Sequence, residues 1–199
     1  MMMMMMMIGA GGGAEEAVRA RVRCAWGKLN QLSPILAVRG ASLKVKGRIY
    51  ASYVRSVMMY GGETWPVRVE EVRRLVRTER AMMRRMCGVR LVQRINCEVL
   101  HERLGVEKVE DVLRRSRLRW FGHLERMDGE NWVSACRDLE VEGPRGRGRG
   151  KKSWRECVEK DMRELKLKPV MARDRLLWRN CINGKVLTRD LHGKRNAKR

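Results

Sequence analysis

The chain has 199 residues, with 45 lysines and arginines against 23 acids, a formal charge of +22 and a pI of about 10.8. So large an excess on so small a surface creates strong positive potential and points to an anionic partner; 33 of the bases are arginine, whose planar fork suits phosphate. Apolar residues at 44% exceed what a disordered basic tail carries, aromatics at 5% argue against a stacking platform of the RRM or OB kind, and no stretch nears the roughly 20 apolar residues of a membrane span.

Residues 1–14, opening on Met1 to Met7 and a glycine run, lack the positive n-region of a signal peptide and read as a low-complexity, disordered segment. From Glu15 to Leu32 good helix formers dominate, and Pro34 is expected to stop them. The spacing of Ile49, Tyr53, Val57 and Tyr60 predicts a helix over Arg48–Tyr60 with those four on its buried face, ended by Gly61 and Gly62. Pro66 suits the first position of the next helix, because its missing N–H has no intrahelical partner there.

The helix predicted from Pro66 to Cys87 carries two faces. Val69, Val72, Leu75, Val76, Met83 and Met86 form an apolar stripe, while Arg73, Arg77, Arg80 and Arg84 step by four, three and four. At 100° per residue the arginines centre roughly 110–120° from that stripe, so one face packs and another displays charge. The plainer reading of such a row is a solvated helix surface; the charge of the whole chain favours phosphate binding.

A helix over Ile95–Leu104 is expected to close at Gly105 with Val106 as its hydrophobic contact. Glu107 to Met127 reads as the next, with Val109, Val112, Leu113, Trp120, Leu124 and Met127 inward, and a short helix follows around Asn131–Arg137. Residues 143–152, GPRGRGRGKK, hold five bases, no acid and glycines that oppose regular structure. Arg145, Arg147, Arg149, Lys151 and Lys152 can follow a phosphate track on such a backbone, or serve only as a soluble linker. Ser153 with Glu156 forms a capping box for a helix burying Trp154, Val158, Met162 and Leu165, and Pro169 opens a last helix burying Met171, Leu176 and Trp178. The expected organisation is all-α, an irregular helical bundle: a helical domain over 15–138, a basic linker at 139–152, a helical pair at 153–185 and a basic tail at 186–199.

Chemistry is sparse. Two-metal phosphoryl transfer needs clustered carboxylates holding cations about 3.5–4 Å apart, and Asp111, Asp128, Asp138, Asp161, Asp174 and Asp190 never adjoin one another. Glu15–Glu16, Glu70–Glu71 and Glu110–Asp111 sit at helix starts, where negative charge complements the dipole. Cys97 and His101, four apart on one helix with Cys87 nearby, could begin a zinc site, but a fourth ligand has no source beyond His123, and core thiols are the simpler reading. His123 itself reads as a packed helix residue. Cys24, Cys87, Cys97, Cys136, Cys157 and Cys181 form no close pairs and read as reduced thiols of an intracellular protein, nuclear or cytoplasmic.

Six blocks in order resemble the region that follows the catalytic palm in non-LTR (LINE-type) retrotransposon reverse transcriptases: Lys46 to Val67 with YGGETW, Glu79 to Val89, Ile95 to Glu107, Arg117 to Asp128 with LRWFGH, Gly143 to Met162, and Arg173 to Arg179. The resemblance implies a helical thumb and adjoining C-terminal segment that grip RNA template and growing DNA through phosphates. It also implies a truncated product. In that family the palm and its paired aspartates lie before the YGGETW block, whereas only 45 residues, unlike it, precede Lys46. No catalytic residue, metal, cofactor or small-molecule substrate is therefore expected, and an RNA-directed DNA polymerase activity is not. The competing function is a helical interaction module that docks on a polymerase palm or another protein.

Overall fold

The computed structural model describes residues 14–38, 40–127 and 152–184. Among them the secondary structure is helical throughout, with no strand, as the all-α reading expects. The chain divides into two compact units between Leu113 and Arg114.

In the first unit α1 (Glu15–Gln31) is followed by one turn, α2 (Ser33–Leu36), in which Pro34 sits at the N-terminus instead of ending the helical path. Helix α3 (Leu43–Ile49), capped by Ser42, runs into a π-turn at Tyr50–Arg55 and out through α4 (Ser56–Met58). The buried stripe there is Tyr50, Val54 and Met58, with Arg55 beside it. That corrects the predicted face: Tyr53 and Tyr60 are more than half exposed. Two apolar rows one residue apart compete on this sequence. The row with Tyr50 goes inside because its hydroxyl finds a buried acceptor, Glu79, at 3.2 Å.

The YGGETW block is a turn. Gly61 takes φ +76°, which a side chain would strain, and Gly62 is buried with space for little more than hydrogen, a Cβ there lying 3.1 Å from Leu113. Thr64 Oγ1 donates to Gly61 O at 3.0 Å, and Trp65 and Val67 are buried. Helix α5 (Val69–Cys87) starts three residues after Pro66, contrary to expectation, because Glu71 reaches back to accept the Arg68 N–H at 2.6 Å and fixes the first turn there. Its core residues are Leu75, Met82, Met83 and Met86, while Val69 is exposed and Val72 and Val76 are half-buried. Gly88 closes α5 and Gly105 closes α6 (Cys97–Leu104), both left-handed, and Val89 and Val106 donate back to Arg84 and His101 in Schellman motifs. Asn96 caps α6, whose first residue, Cys97, lies two residues after the predicted start.

The second unit holds the C-terminal half of α7 (Val109–Leu124), α8 (Trp154–Glu164), a 3₁₀ segment at Pro169–Arg173 and α9 (Arg175–Ile182). Its core gathers Leu118, Val158, Met162, Leu167, Ala172, Trp178, Cys181 and Ile182. The LRWFGH block explains itself here. Gly122 leaves the space in which the Trp178 indole lies, Trp178 Nε1 donates to Leu118 O at 2.9 Å, and Phe121 meets Trp178 at 6.0 Å between ring centroids. Ser153 caps α8 as predicted, accepting from Glu156 N, and Trp154 and Leu165 pack at the edge of the core. Asp174 interrupts the helix expected from Pro169 by capping α9 through Leu176 N and Leu177 N at 2.9 and 3.0 Å. That phase turns Leu176 out to 72% exposure, against the prediction that it is buried. His123, expected to be packed, is exposed against the Trp120 ring at 5.4 Å. The expected break at 138, the predicted helix at 131–137, both ends and all of the linker but Lys152 lie outside the described residues.

Gly47 of α3 lies against the backbone of α6: a Cβ there would overlap the Leu104 carbonyl. Gly47→Ala must separate two backbones, so we expect a loss of about 2–3 kcal/mol, read as a lower urea midpoint by circular dichroism.

Candidate nucleic-acid interface

The disposition of the acids decides which arginines face water. Helix α5 carries six arginines and three glutamates. Glu71 is buried at the N-terminus on Arg68 N. Glu79 is deeper, 2% exposed, and accepts from Tyr50 Oη at 3.2 Å and from Val109 N at 2.9 Å. Arg55 approaches it at 3.4 Å and His101 Nε2 at 3.9 Å, and His101 Nδ1 pairs with Val106 O at 2.9 Å. Burial pushes the Glu79 carboxyl above the ordinary range, opposed first by Arg55; burial likewise pushes the Tyr50 phenol up, so it stays a donor. The Arg55 Nη2 makes no hydrogen bond among the described residues, so Arg55 is held chiefly by charge.

Only Glu70 of the three glutamates is exposed. It pairs with Arg73 at 3.8 Å and, closely, with Arg77. Arg73, Arg77 and Arg80 point to solvent as predicted, the first two about 70% and 67% exposed. Arg84 does not belong with them: it is half-buried and donates from Nη2 to Ile95 O at 3.4 Å, with Nε enclosed. The Ile95 carbonyl, on the chain that leads into α6, holds the guanidinium inward. Arg85 is exposed and bonds Asn30 Oδ1 at 2.8 Å and Ser33 Oγ at 3.3 Å.

The second unit repeats the pattern. Asp161 is buried against Arg117 at 2.9 Å, and burial raises its carboxyl even with Arg117 opposing. Residues 165–184 then hold Lys166, Lys168, Arg173, Arg175 and Arg179, all exposed, with Asp174 as the one acid, itself engaged in the α9 cap. Sequence reading missed this second cationic surface; the signal was the scarcity of acids over those twenty residues. Of the predicted linker contacts, Lys152 is half-buried, and Arg145, Arg147, Arg149 and Lys151 lie outside the described residues.

Nothing here assembles a metal centre. Among the described residues no group of three His, Cys, Asp or Glu side chains could hold an ion, and both His101 nitrogens face protein acceptors. Cys87 and Cys97 are half-buried free thiols, each pushed up by burial, and Cys157 and Cys181 are core thiols. No described helix is long and apolar enough to cross a membrane. No protein-family model matches the chain, and no curated protein or solved structure matches it either.

The buried and exposed glutamates of α5 should differ in what neutralisation costs. Glu79→Ala strands Arg55 in the core and should cost about 3–5 kcal/mol, whereas Glu70→Gln should change stability by less than about 1 kcal/mol. Urea unfolding measures both, and Glu70→Gln should elute later from heparin.

Proposed function

We propose that this chain binds RNA or DNA through phosphates, as the thumb and C-terminal segment of a non-LTR reverse transcriptase, with no catalysis of its own. The observation that carries the reading is the partition of charge on α5. Two of its three acids are buried inside the fold, and Arg73, Arg77 and Arg80 remain outside with a single exposed glutamate among them. The exposed bases of residues 165–184 extend the same chemistry to the second unit, and the arginine-rich linker would add contacts to either strand. Arginine recognises phosphate through a two-point fork, and each such contact releases condensed counterions from the nucleic acid. The reading is of an intracellular chain, and a polymerase palm is its protein partner.

Filter binding across a salt series tests it. Affinity for duplex should fall with a log–log slope near −0.9 per phosphate contact, and Arg73→Gln/Arg77→Gln/Arg80→Gln should reduce that slope by up to roughly three contacts. The three positions are exposed, so circular dichroism should be unchanged. A folded triple variant with unaltered affinity and slope would reduce the row to a solvated surface. Absence of any nucleic-acid binding, with retention of a separately supplied palm, would establish the docking module instead.

A further inference from the structure

Between α5 and α6 the chain makes a short 3₁₀ turn, Leu91–Gln93, that presents apolar side chains to water. Leu91 is 76% exposed and Val92 88%. Scattered surface aliphatics are ordinary; this adjacent pair is held out by local bonding. Arg90 N donates to Gln93 Oε1 at 3.0 Å, Gln93 N returns to Arg90 O at 3.2 Å, and Arg94 N donates to Leu91 O at 3.2 Å. Arg94 sits at φ +44°, a left-handed conformation that strains a side chain other than glycine. The two ends are fixed as well, one by the Schellman motif at Gly88 and the other by the Asn96 cap.

Charge identifies what such a tip meets. From Ala81 to Cys97 there is no acid, and Arg84, Arg85, Arg90 and Arg94 fall in that stretch. Arg84 and Arg85 are engaged with Ile95, Asn30 and Ser33, which leaves Arg90 and Arg94, both exposed, on either side of the apolar pair. We infer that Leu91 and Val92 form a wedge that enters a base step of duplex nucleic acid, with Arg90 and Arg94 on the flanking phosphates. The inference rests on the nucleic-acid reading above and adds to it a site with a different mode of contact. Minor-groove and architectural proteins insert one or two aliphatic side chains in this way, unstacking a step and kinking the duplex. A membrane surface fits less well, because interfacial anchoring draws on a long amphipathic face, and this tip offers only two side chains.

The test uses the full chain and a duplex with 2-aminopurine at a central TA step, a sequence that unstacks readily. Binding should raise the fluorescence. Leu91→Ser/Val92→Ser should bind about tenfold more weakly, as loss of apolar burial implies, with an unchanged salt slope and no fluorescence rise. Arg90→Gln/Arg94→Gly, which keeps a residue suited to the left-handed turn, should reduce the slope by roughly two contacts. Circular dichroism confirms folding, and Val92→Ser alone serves if the double variant loses helix. Binding without a fluorescence rise, or a rise that survives the serine variants, overturns the wedge and leaves the phosphate reading standing. No binding at all overturns both. Tip-dependent binding to phosphatidylserine vesicles, without a duplex signal, overturns the wedge in favour of a membrane contact.

Discussion

Tyr50 from the π-turn, Arg55 five residues on, His101 from α6 and the first N–H of α7 all meet one carboxylate, Glu79 of α5. Those partners come from the π-turn, α6 and the start of α7, so these elements are tied to α5 through two oxygen atoms. The arrangement is stringent because it is buried. A guanidinium in a core needs a compensating anion, and an anion in a core needs donors for its lone pairs. The π-turn is part of the same constraint. Tyr50, Val54 and Arg55 are all buried within that widened turn, and both Tyr50 and Arg55 reach the acid.

The second unit is organised by an equivalent pair, Arg117 with Asp161, beside a core built on Trp178. In a chain with 23 acids to 45 bases, where the acids go determines the surface. Among the described acids Glu71, Glu79 and Asp161 lie inside, and Glu15, Glu16, Glu70, Glu110 and Asp111 lie in the first turns of helices. Among the described residues the fold buries as many bases, Lys46, Arg55 and Arg117, so the excess of positive charge stays on the exterior of each unit.

Much of this was legible in the sequence. Good helix formers located α1, apolar spacing located α5, α7 and α8, glycine marked the ends of α5 and α6, and Ser153 announced the α8 cap. What escaped was the choice between adjacent faces. Tyr50 and Tyr53 both lie on plausible apolar rows, and only the distant Glu79 selects the first. Arg84 shares the spacing of its exposed neighbours, yet its carbonyl partner Ile95 lies eleven residues on. Leu176 reads as core until Asp174 resets the helical phase before it. Arg117 and Glu79 were not singled out, because a buried ion pair leaves no periodic trace. The Tyr50 and Arg84 errors are long-range in origin, whereas the Leu176 error lies in a local cap, two residues away.

The division inside α7 changes what the stretch between 127 and 152 is. Leu118, Phe121 and Gly122 share a core with Trp178, and Arg126 Nη1 donates to Ala172 O at 2.5 Å. Residues 127 and 152 thus belong to one folding unit. A backbone nick between them turns an intramolecular core into a two-fragment association, and the α8–α9 piece then depends on the concentration of its α7 complement.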